Sequence, residues 1–248
     1  MPNPFRTSNP ALNEKAFQGQ IATGEAMTVQ GTVNKTGVLL LCVVATSAWT
    51  WGLSHSPEPQ GAIPWMMGGL VGGFIAALVT IFKKTWAPLT APIYALLEGL
   101  VLGGISAIFE KSYPGVAFQA IGLTFGVLFA MLLAYKTGLI RATQGFKMGV
   151  IAATGGIAVF YLAEMVLGLF HITVPAVNGS GIIGIGFSLL VVIVASLNLV
   201  LDFDMIESGA RMGAPKYMEW YGAFGLMVTL IWLYLEMLRL LAKLQRRN

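Results

Sequence analysis

Apolar residues gather into seven long runs, at roughly 36–54, 63–82, 89–109, 115–135, 148–170, 181–201 and 218–240, parted by short polar connections. Each run is close to the ~20 residues that an α-helix needs to cross a bilayer. They are too long for barrel strands and lack the polar/apolar alternation of one. The pattern predicts an all-α membrane protein: a polar leader at 1–35, seven transmembrane helices over 36–240, and a basic tail at 241–248. Within the second run, "GGLVGG" sets Gly68 over Gly72 and Gly69 over Gly73, and Gly99 and Gly103 repeat the spacing in the third. Small residues four apart make a flat face against which a neighbouring helix packs.

Composition sharpens the picture. Of 248 residues, 56% are hydrophobic and 10% charged, and the mean hydropathy is +0.75. A soluble domain carries ~25% charged residues, so lipid is the expected solvent. The net charge of +4 comes from basic residues between apolar segments rather than in a patch, which excludes a nucleic-acid partner. Cys42, the single cysteine, sits in the first run and reads as a small buried apolar residue. The first run is too long for a signal-peptide core and follows a polar leader, so no signal peptide is expected.

Lys and Arg counts orient the bundle. The leader holds Arg6, Lys15 and Lys35, and alternate connections add Lys83, Lys84, Lys136, Arg141, Lys147, Arg211 and Lys216. The opposite connections hold only Lys111. The leader is therefore expected on the cytoplasmic side. Arg239, Lys243, Arg246 and Arg247 then fall outside if the seventh run crosses fully, which leaves partial crossing as the alternative. Trp49, Trp51, Trp65, Trp86, Tyr135, Tyr217 and Trp220 lie near run ends as interfacial anchors, and the basic segment Lys136–Lys147 is expected along the inner surface.

The chemistry resides in acids. Glu98, Glu164, Asp202, Asp204 and Glu236 lie in or beside the runs, where a carboxylate costs roughly 2.5–3.5 kcal/mol unless it faces a cavity, a partner or a proton path. Asp202 and Asp204 close the sixth run at its inner end and point about 200° apart on a helix, so one neighbour cannot serve both. Asp202 reads as the gate candidate and Asp204 as facing water. Glu98 lies roughly 12–15 Å along an inward-starting helix, and Glu164 falls toward the outer half. Glu236 can pair with Arg239, three residues on. His55 and His171 are too isolated for a metal site. No phosphate loop, metalloprotease motif or nucleophile constellation occurs, so neither enzyme chemistry nor a cofactor is expected.

The stretches "LNLVLDFDMIE" and "GAPKYMEWYGAFGLMVTLIWLYLEMLRLL" resemble the C-terminal part of the Bax-inhibitor-motif family, the YccA-like seven-helix membrane proteins. "ALLEGLVLGGISAIFE" is similar to that family's third helix, and "YKTGLIRATQGFKMGVIAATGG" and the leader resemble its bacterial branch. The resemblance implies six helices around a central seventh. It also implies a pH-sensitive calcium leak through a bacterial plasma membrane, gated on the cytoplasmic side by one aspartate on helix six and one on helix seven. Asp202 matches the first. At the second, this chain departs from the family: alignment by helix starts gives Thr229, and alignment on "LYLEML" gives Glu236, at another depth. Asp204, Glu98 or Glu219 are the stand-in partners, and the family's basic latch falls on Lys83 or Lys84. The expected function is a pH-sensitive calcium or cation leak, with lipid, protons and Ca2+ as its partners. The alternative is a non-conducting regulator bound to a membrane protease or stress machinery. A proton-coupled transporter would need broken helices that the runs do not show.

Overall fold

The computed structural model describes residues 25–170, 177 and 179–247. Arg6, Lys15, His171 and most of the leader lie outside these described residues. Seven helices follow in order: α1 Val29–Ser54, α2 Ala62–Phe82, α3 Ala87–Ser112, α4 Val116–Lys136, α5 Gln144–Leu169, α6 Ile182–Arg211 and α7 Met218–Arg247. All seven are long and apolar enough to span a membrane. Short 3-10 turns at Pro59–Gly61 and Lys84–Trp86 lead into α2 and α3. Among the described residues the extended pairing is one isolated bridge, Ala26 to Pro215.

Local chemistry sets the helix ends. Thr28 caps α1 by accepting from the Gly31 N–H at 2.9 Å, and Thr143 caps α5 by accepting from Phe146 at 3.3 Å. Both satisfy amides that the first turn leaves without an intrahelical partner. At the start of α4 the Glu110 carboxylate accepts from the Gly115 and Ala117 amides at 2.6 and 3.0 Å. Gly138, at φ 73°, turns the chain out of α4, and residues 137–143 form a short irregular link rather than a surface helix.

Three helices run past the apolar windows. α1 begins seven residues before position 36, so the last part of the polar leader is helical; the backbone preceding it is tied to the α6–α7 link through Met27 N–H to Ala214 O (2.7 Å) and Lys216 N–H to Glu25 O (3.1 Å). α6 continues through Asp202 and Asp204 to Arg211, and α7 absorbs the basic tail as far as Arg247. Polar residues continue a helix wherever neighbouring helices supply partners, and hydropathy alone does not register this.

α7 is the central element. Its side chains Tyr221, Phe224, Met227, Leu233 and Leu238 are all but sealed from solvent, and it packs against α1, α3, α4 and α6. α5 rests on α6 and reaches α7 through Tyr161, while α2 joins the core across α3 and α1. Of the glycines, Gly69 and Gly73 meet α3 at Leu97 and Glu98, whereas Gly68 faces open space. Gly99 and Gly103 meet the α1 backbone at Val43 and Ser47, and Ser47 donates to the Gly99 carbonyl at 2.9 Å. Any side chain at Gly99 or Gly103 would strike that backbone, so these two positions hold α1 and α3 together. Outward faces carry Leu41, Phe74, Phe129 and Val159, as lipid contact requires.

Candidate functional site

The odd-numbered helices start at one end of the bundle, the near end, and finish at the far end. α7 starts beside Thr28 and Lys35 at the beginning of α1 and finishes with Lys243 donating to the carbonyls of Val177 (2.7 Å) and Gly184 (3.0 Å) and to Ser188 Oγ (2.8 Å) at the beginning of α6. α7 therefore runs the whole length of the bundle.

The near end is organised by α6. Because the helix does not stop at the acids, Asp202 is an interior residue with no exposed surface. Asp204, on another face, accepts from Lys147 Nζ of α5 at 2.6 Å, with both side chains largely covered. The expectation that Asp204 faces water is thus corrected: a cation from α5 occupies that face. One turn on, Glu207 accepts from the Tyr135 hydroxyl of α4 at 2.6 Å. One turn back, Asn198 donates to Thr154 of α5 at 2.8 Å. Four polar positions on ten residues of α6 thus address α5, α4 and the interior separately.

Two antiparallel contacts give the depth of Asp202 against α7. Ile206 lies beside Gly222, and Ser188 is bonded to Lys243. Counting turns from each places Asp202 level with Leu226–Thr229. Thr229, buried and hydrogen-bonded to the Gly225 carbonyl at 3.4 Å, is therefore at the depth of Asp202. Glu236 is about two turns, roughly 10 Å, farther along. On α3, Glu98 lies one turn beyond Tyr94, which packs on Phe224 with ring centres 4.9 Å apart, and two turns before Ser106, bonded to Tyr234 at 2.6 Å. Glu98 shares this depth, half-buried against Gly73 of α2.

The other acids have partners of their own. Glu219, fully buried in the first turn of α7, accepts from the Thr28 amide (2.8 Å), the Thr28 hydroxyl (3.0 Å) and Lys35, with Lys216 at 3.5 Å. It fastens α1 to α7. Glu236 accepts from Tyr161 (2.8 Å) and Arg239 (3.0 Å), as its spacing from Arg239 predicts. Glu164 is half-buried and acts electrostatically on Lys243 at the far end. Of the two latch lysines, Lys83 is exposed, while Lys84 turns inward with its ammonium 5.9 Å from the Tyr221 ring centre. Among the described residues no three His, Cys, Asp or Glu side chains gather as a metal site.

Lys147, Tyr135, Tyr161, Lys243 and Glu207 are site neighbours that sequence reasoning passed over. Lys147 and Lys243 are counted there only as topological charges, and Tyr135 only as an anchor. For Lys147 and Tyr135 the available signal was a position within a turn of a helix end, level with the acids of α6.

No curated protein and no solved structure matches the chain. The sequence profile described as Bax inhibitor 1 like matches residues 9–246. That match takes in all seven helices, the buried Asp202 and the central α7, and by it the chain belongs to the Bax inhibitor 1 like family.

Proposed function

We propose that this protein is a pH-sensitive cation leak, with calcium the foremost permeant ion, gated at its near end by Asp202. The near end is the cytoplasmic side of a bacterial plasma membrane in this reading, as the distribution of Lys and Arg favours. The observation that carries the proposal is a carboxyl with no exposed surface in the interior of α6, against the central helix. A protonated carboxyl suits so buried a position. An ionised one is costly there and is stabilised by water and cations, so losing the proton favours a packing that admits both.

Thr229 at the depth of Asp202 supplies a hydroxyl where the family pattern supplies a second carboxylate. The gate is accordingly built on Asp202, with Glu98 of α3 as a further carboxyl at the same depth. The Lys147–Asp204 pair holds α5 to α6 in the closed packing, and Lys84 is the inward-facing latch lysine. Calcium efflux from liposomes tests this directly. The wild type responds to pH, and Asp202→Asn holds flux at the wild type's acid-side value throughout, because the amide mimics the protonated acid. A pH response equal to wild type in that variant refutes the assignment.

A further inference from the structure

A cavity of about 340 Å³ lies between α1 and α4, with α3 along one side and α7 as its floor. Its rim side chains Val44, Phe118 and Ile121 are among the exposed apolar residues. The cavity is therefore continuous with the lipid-facing surface. At the far end Trp51 meets Phe118 edge-on, ring centres 6.1 Å apart, and closes it.

The lining decides what can fill it. Below Trp51 its polar side-chain groups are four hydroxyls, and each proton already has an acceptor. Ser47 donates to Gly99 O at 2.9 Å and Thr124 to Ala120 O at 2.7 Å. Ser106 lies 2.6 Å from Leu102 O, so Tyr234, 2.6 Å from Ser106, donates to it. Besides these, the Trp51 indole N–H at the far-end mouth is the one further side-chain donor of the lining, so the cavity beyond it offers none to a polar ligand. Water would find too few partners to stay in a space so lined. The surrounding medium is hydrocarbon, and the volume falls in the range of small-molecule pockets.

We propose that the groove is an acyl-chain site, holding one tail of a membrane phospholipid from the far-end leaflet against the central helix. The tail runs from Trp51 to Met227, and Met227 lies at the depth of Asp202, so lipid contacts α7 at the level of the buried acid. The assignment stands on the groove alone and does not depend on the leak activity.

The test uses the full chain in vesicles of phosphatidylcholine bearing a mid-chain diazirine, with adducts mapped by mass spectrometry. Lipid that only surrounds the bundle reaches the rim and the outer face of α5, whereas a seated tail also labels the floor at Leu230, Ile231 and Tyr234. Floor adducts comparable with those at Val159 of α5 are expected. In an Ala48→Phe/Ile121→Trp variant that elutes and melts as wild type, they fall by about tenfold while Val159 labelling is unchanged, since displacing the tail needs only ~1.4 kcal/mol. Wild-type adducts confined to the rim overturn the proposal, as does a groove filled by a second copy, seen as rim labelling that drops when protein is concentrated in the vesicle.

Discussion

The two ends of the bundle treat buried charge in opposite ways. At the far end Glu236 is neutralised by Arg239 of its own helix, with Tyr161 of α5 beside both. Lys243 does reach another helix, but it is held there by backbone carbonyls and the Ser188 hydroxyl, which carry no charge. At the near end three acids each depend on a group from a different helix: Asp204 on Lys147 of α5, Glu207 on Tyr135 of α4, and Glu219 on Thr28 and Lys35 of α1. A pair within one helix survives any shift of its neighbours. A pair between helices is lost when the helices separate. The near end is therefore where a charge change can become a packing change, and Asp202 lies among those interhelical links. The far end serves as the fixed end.

The largest expected contrast is in stability. Glu219→Ala leaves Lys35 and two Thr28 donors without their acceptor and should cost about 3–5 kcal/mol, the range for breaking a buried pair. Glu236→Ala should cost about 1–2 kcal/mol, since Arg239 is half exposed and rehydrates. Thermal unfolding in detergent compares them, and equal losses would erase the distinction between the ends. Next comes the missing second carboxylate. Thr229→Asp puts an acid at the depth of Asp202, and a like charge favours retention of a shared proton, so the pH midpoint of calcium flux should rise by about one unit. An unmoved midpoint means that the two positions do not sense each other.

Lys147→Met removes the tether between α5 and α6. It should raise flux at neutral pH about twofold to fivefold, as ~0.5–1 kcal/mol of closed-state preference is lost, with the pH response retained. A lost pH response would move the sensor from Asp202 to the Asp204 pair. The smallest effect is at the latch. Lys83→Ala should change stability by less than about 0.5 kcal/mol and leave flux alone, while Lys84→Ala alters both measurably. Indistinguishable variants would remove the latch from the account.

The seven spans, their order and the family were legible because apolar run length reports the bilayer and little else. The extra turns of α1, α6 and α7 were not. A run ends at its first charge, whereas the helix continues where Lys147, Tyr135 and Thr28 answer that charge from distant parts of the chain. Asp202 was legible as a candidate, since an acid at the end of an apolar stretch is conspicuous; its burial was not, because it follows from the ten helical residues beyond it. Glycine spacing predicted flat faces on α2 and α3, and the structure selects Gly69 and Gly73 over Gly68, a choice of face that i to i+4 spacing leaves open. The partners of Glu219 and Lys243 lie far away in sequence, beyond the reach of any local pattern.

The most direct measurement compares pH profiles of calcium efflux for Asp202→Asn and Glu236→Gln in the same liposomes. A flat profile for Asp202→Asn beside a wild-type profile for Glu236→Gln is the predicted result. A normal profile for Asp202→Asn with a flat one for Glu236→Gln would place the proton-sensitive group at the far end and contradict the account.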